Sequence, residues 1–131
     1  MLTTLLAATL ALQDAPVTAT PEPPAEMSVS LDALPIEQAA AARCAIAFAT
    51  ISRWQKAGEE RGKAYPDMEA GGGREFFVRV MARLMDEAGL TRENIAALSV
   101  SEAQCNDAPE GAARLARMMP ACEMMKSAAG L

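Results

Sequence analysis

Residues 36–61 read IEQAAAARCAIAFATISRWQKAGEER, a stretch without proline. Set 100° apart, Ile36, Ala40, Cys44, Ala47, Ile51 and Trp54 fall on one face of a helix, with Phe48 at its edge. Glu37, Ser52, Lys56 and Glu59 fall elsewhere. The spacing predicts an amphipathic helix that starts at Leu34-Pro35, where proline suits the first turn and Asp32 can help to cap it. Gly62 is the expected stop. A helix this long must find partners for its apolar stripe, so the remaining chain has to supply surfaces that pack on it.

Those surfaces are also helical. GKAYPDMEAGGG (62–73) reads as a loop by its glycines and its proline. A second helix follows in REFFVRVMARLMDEAG (74–89), closed by Gly89 with Leu90 as the apolar residue that accompanies such a cap. Its polar stripe is only Glu75, Arg79, Arg83 and Asp86, and apolar side chains cover nearly everything else. An arc that wide needs more than one neighbour. Either this helix is central to the fold, or its surplus face, Phe77, Val78, Met81 and Met85, meets another chain. Thr91 then reads as an N-cap, with Glu93 in the first turn and Ile95 and Leu98 as apolar anchors. Ser101 with Gln104 resembles a second capping box, which predicts a break near 99–101. Asp107-Ala108-Pro109-Glu110 has the pattern of a helix start, and the last helix runs on to Ala129 with Pro120 inside it to kink or split it. No strand-like alternation of useful length occurs. A composition 51% hydrophobic but only 4% aromatic, rich in alanine and methionine, also favours helix. The expected fold is all-α, a small bundle of four to five helices over residues 34–131.

The N-terminus has a different character. Residues 2–12 are uncharged and mostly apolar, too short to span a bilayer, and small residues at Thr9 and Ala11 or at Val17-Thr18-Ala19 suit cleavage. Residues 1–13 are therefore read as a signal peptide, although the n-region carries only the terminal amine. Residues 14–33 hold Pro16, Pro21, Pro23 and Pro24 with acidic side chains, the composition of a disordered linker. This places the mature chain in the periplasm or outside the cell, with no stable membrane span after processing.

Export gives the three cysteines a meaning. Cys44 lies in the stripe of the first helix; Cys122 shares a face of the last with Leu115, Met118, Met125 and Ala129; Cys105 sits at a polar helix end. Two cysteines on core-facing stripes can meet across a bundle, so a Cys44–Cys122 disulfide is favoured, leaving Cys105 free or available to a second chain. Cys105–Cys122 and Cys44–Cys105 are the other pairings. The segment MMPACEMM (118–125) also admits a soft-metal reading, in which Met118, Cys122 and Met125 hold copper as Cu(I). Core packing is the simpler account, because methionine fills irregular helical cores and no cofactor is otherwise implied.

Several function classes have no support. The chain contains no histidine, the commonest general base and metal ligand. No nucleophile-elbow, zinc-protease, Cys-x-x-Cys or EF-hand pattern occurs, and GGGRE (71–75) lacks the lysine and hydroxyl of a phosphate-binding loop. Five acidic residues precede Arg43, and from Arg43 onward, that residue included, twelve acidic and twelve basic residues balance. With no basic patch, nucleic-acid binding is not expected. The sequence points to an exported, non-enzymatic module that binds another protein or itself.

Overall fold

The computed structural model describes residues 29–131; the signal assigned to 1–13 and residues 14–28 of the linker lie outside them. Four helices follow one another: α1 (Ile36–Lys56), α2 (Gly73–Ala88), α3 (Arg92–Asp107) and α4 (Gly111–Ala128). No strand occurs among the described residues.

The central helix is α1, not α2. Ten of its 21 residues are buried, and five of them, 44–48, are consecutive. Five residues exceed one turn, so at that level the helix is covered on every side. Alanines make this possible, since Ala42, Ala45 and Ala47 let neighbouring elements approach closely on several faces. The expected stripe holds at Cys44, Ala47, Ile51 and Trp54, whereas Ile36 is 86% exposed. The helix stops at Lys56 rather than near Arg61. Gly58 takes a φ of +70°, which a side chain would disfavour, and the Glu59 N–H reaches the Trp54 carbonyl (2.9 Å) to close a Schellman-type cap.

The loop after α1 is held rather than loose. Gln55 donates to the carbonyls of Gly62 (3.1 Å), Tyr65 (3.2 Å) and Pro66 (2.8 Å), and its Oε1 accepts from the Met68 N–H (3.1 Å). These bonds seat Met68 in the core. From there α2 runs back along α1, with Phe76 edge-on to Phe48 (centroids 5.5 Å apart) and Glu87 near Gln38 at the far end. Gly89 ends α2 as expected.

Between α2 and the C-terminus two expectations change. The Thr91 cap is present, as a full capping box with Asn94, but α3 continues unbroken through 99–101. Serines lower helix propensity only slightly, and Leu98, Glu102 and Asn106 give α3 a continuous buried edge that carries it across. Likewise α4 is a single helix through Pro120, so of the expected kink or split the split does not occur. Proline removes the bond to the Ala116 carbonyl, but both residues are exposed, so water can take the lost place. At the other end, residues 29–33, assigned to the linker, fold back as a short 3₁₀ turn (Leu31–Ala33) with Leu31 buried. Ser30 caps it and Asp32 pairs with Arg43 (2.5 Å).

Cys44 and Cys122 form a disulfide, with Cα atoms 5.1 Å apart and a sequence separation of 78. Closing a loop of that size contributes about 4 kcal/mol in the chain-entropy account. Replacing both cysteines by alanine should therefore lower unfolding stability in guanidinium titrations by about 2–5 kcal/mol while leaving the helical circular dichroism of the folded state intact. The α3–α4 corner offers a second test. A Cβ on Gly111 would overlap the Asn106 carbonyl and meet the Cys105 carbonyl oxygen at 2.6 Å, both backbone atoms that cannot step aside. Gly111→Ala should cost about 1–3 kcal/mol in the same titration.

Candidate functional site

Among the candidates on α4, the buried edge is Leu115, Met119, Cys122 and Lys126, not the Met118–Cys122–Met125–Ala129 face. Met118 and Met125 pack against the core from its margin, Met124 is 74% exposed, and Ala129 is exposed. The Cys122 sulfur is bonded to Cys44, so the thiolate a soft-metal site would use is already committed. Lys126 reaches Glu123 (2.9 Å) and lies over the Phe48 ring at 5.3 Å. Cys105 is a free, exposed thiol.

The face expected on α2 divides. Met81 is buried and Phe77 half-buried, both spent on this chain's own core, while Val78 (53%) and Met85 (37%) remain exposed. A larger apolar opening lies on the other flank of α2, where its C-terminal half meets the first turns of α1. Here Pro35, Ile36, Ala41, Val80 and Leu84 border a cavity of about 360 Å³, with Glu37, Gln38, Arg83 and Glu87 at its rim and floor. Gln38 Nε2 makes a long 3.5 Å contact to Glu87, and Arg83 Nε donates to Glu87 (3.3 Å). The Gln38 Oε1 atom is buried and receives no donor among the described residues. An acceptor in that state costs about 1–3 kcal/mol relative to one that is paired. None of these rim residues stood out in the sequence, because Ile36 was assigned to the core stripe and a neutral Gln on a helix carries no motif.

Polar chemistry concentrates instead where α1 ends and α3 ends. The Asp107 carboxylate accepts from Trp54 Nε1 (2.8 Å), Arg53 (2.6 Å) and Arg61 (3.4 Å), and the Arg61 guanidinium lies 4.2 Å from the Trp54 ring centroid. Asp107 was expected to open the last helix; it closes α3 and reaches across to α1. One turn inward, Thr50 donates to the Ile46 carbonyl (2.8 Å) and accepts from Asn106 Nδ2 (3.1 Å). Asn106 Oδ1 accepts from Arg114 (2.6 Å), which also pairs with Glu102 (2.9 Å). Every member of this network is satisfied, the signature of polar groups buried for structure rather than held ready for a reaction.

The class that this fold and surface define is a disulfide-stapled four-helix domain with an apolar groove between α1 and α2 and a satisfied polar network where α1 and α3 end. Among the described residues no helix is long and apolar enough to cross a membrane, and no cluster of three or more acidic, cysteine or histidine ligands occurs. Compared with family models, curated proteins and solved structures, the chain finds no match in any of the three.

The hydrogen bond from Arg53 holds the Asp107 carboxyl below the usual carboxylate range, with the bond from Trp54 and the charges of Arg53 and Arg61 acting in the same direction and partial burial opposing them. A carboxyl depressed in the folded state adds stability above its unfolded pKa of about 3.9, and loses it as pH falls through the folded value. With the pair partly exposed, the effect should stay within about 1 kcal/mol. Asp107→Asn should flatten the acid limb of stability below about pH 4. Trp54, the only tryptophan, should report the same protonation by a fluorescence change in the native protein that the variant lacks.

Proposed function

We propose that this is an exported, non-enzymatic helical domain that serves as a protein-interaction or structural module of the cell envelope. The observation that carries the reading is the α1–α2 groove: an apolar opening flanked by Ile36, 86% exposed, with Glu37 and Arg83 at its rim. Isolated surface apolar residues are ordinary. An exposed isoleucine beside an apolar cavity with charged side chains at its rim is instead the composition of a contact surface, apolar at its centre and polar at its edge. Val78 and Met85 extend exposed apolar surface to the other flank of α2. The Cys44–Cys122 bond supports an oxidising compartment, where such bonds persist. The saturated polar network supports a non-catalytic role, since it leaves no unpaired acid or base to react.

Two measurements test the reading. After thiol alkylation, the intact protein from its own cell envelope should lack about 11–19 N-terminal residues, weigh two hydrogens less than its reduced form, and carry one alkyl group, on Cys105. A full-length mass with three alkyl groups would remove the export assignment. A photo-reactive residue at position 36 should give a discrete crosslinked product in those cells, whereas the same residue at Glu60, exposed beyond the opposite end of α1, should not. Equal labelling at both positions, or none, would remove the interaction assignment.

A further inference from the structure

The groove carries two complementary shapes side by side. Ile36 projects from the first turn of α1, and next to it Ala41, Val80 and Leu84 wall a recess that an aliphatic side chain fits. Opposite charges stand at the rim. Glu37 forms no ion pair among the described residues, and Arg83 uses only its Nε on Glu87, leaving the other guanidinium N–H groups free to donate. Knob with recess and carboxylate with guanidinium therefore lie on one patch, the self-complementarity that a two-fold axis requires.

We infer that the occupant of this groove is a second copy of the chain, paired about a two-fold axis. Each Ile36 enters the recess of the other protomer, and each Arg83 reaches the other's Glu37. The inference rests on the interaction reading above and names the partner. The chain's own N-terminal segment fits less well, since residues 1–28 contain no lysine or arginine side chain to meet Glu37. A lipid tail would fill the recess but bring no cation to Glu37. The patch is small beside the roughly 1,200–2,000 Å² of a standard interface, so the dimer should be weak, with a dissociation constant on the order of 1–100 μM.

Charge exchange tests this in a way that folding defects cannot imitate. With Cys105 alkylated to prevent a covalent dimer, the protein as its cells produce it should show concentration-dependent dimerisation in sedimentation equilibrium. Glu37→Arg and Arg83→Glu should each weaken it by more than about tenfold, with helical circular dichroism and melting confirming that both variants are folded. Mixed in equal amounts, the two monomeric variants should form a heterodimer, because each contact then joins a guanidinium to a carboxylate across the axis. The double variant should dimerise again for the same reason. A wild-type protein monomeric at about 100 μM, or a mixture that stays monomeric, would overturn the inference. Crosslinking at position 36 separates this failure from that of the broader reading. A product of twice the chain mass supports the dimer; a product with a different protein overturns the dimer and leaves the interaction surface standing; no product overturns both.

Discussion

A helix whose middle turns have no polar face has to be covered there on all sides, and α1 imposes that requirement on the whole domain. Its middle turns bury alanines, an isoleucine, a phenylalanine and a cysteine around the full circumference. Each other element answers a part of it. The edge of α2 meets Phe48 with Phe76, the 3₁₀ turn before α1 tucks in Leu31, the pinned loop inserts Met68, and α4 brings Leu115, Met119 and Cys122. The disulfide sits inside this packing, with both cysteines almost fully buried. It locks the last helix onto the central one at the level where α1 has no exposed side left. The bond and the apolar packing thus reinforce one another, and the bond restricts the unfolded chain over most of the domain's length.

The same requirement explains the placement of the polar side chains. Covering α1 also covers the Thr50 hydroxyl oxygen, an acceptor, and the Trp54 indole N–H, a donor, each of which would otherwise be stranded in apolar surroundings at a cost of about 1–3 kcal/mol. The end of α3 supplies the answer, with Asn106 for Thr50 and Asp107 for Trp54. Arg114 from α4 then closes the circuit by satisfying Asn106 and Glu102 together. Gly111 is part of the same arrangement, because only a residue without a side chain lets α4 start so close to the Asn106 carbonyl. The corner and the network are one feature seen from two directions.

This division explains what the sequence could and could not convey. The all-α class, the disulfide pair, the Thr91 cap and the Gly89 stop rest on local patterns or on two strong stripes, and those are legible in one dimension. Centrality was misassigned because a wide arc of large apolar residues on α2 outweighs, to the eye, an alanine-rich helix. Yet alanines mark where backbones approach, and the run AAAARCAIAFAT (39–50) has only one charge in twelve positions. The α1 terminus was missed by choosing Gly62 over Gly58, and only the cap geometry distinguishes them. Asp107 was read as a local cap when its partners are more than 45 residues away in α1 and the loop after it, a relation no window can contain. The groove was illegible for the same reason: it is made by the last turns of α2 lying across the first turns of α1.

The domain's two ends therefore differ in kind. At the C-terminal end of α1 each buried polar atom is matched within the chain, and the surface is closed by ion pairs. At the N-terminal end the helix is covered on the α2 side only as far as Ala41, Val80 and Leu84, and Gln38 keeps an unmatched oxygen. The fold gains little from Ile36, since a side chain 86% exposed buries almost nothing, and a polar residue in the first turn would serve the helix equally well. An isoleucine there, next to a recess of its own size, is therefore better explained by what the surface meets than by what the monomer packs. Stability resides in the stapled middle and the polar C-terminal end of α1, while the open N-terminal end is where the chain has binding free energy left to offer.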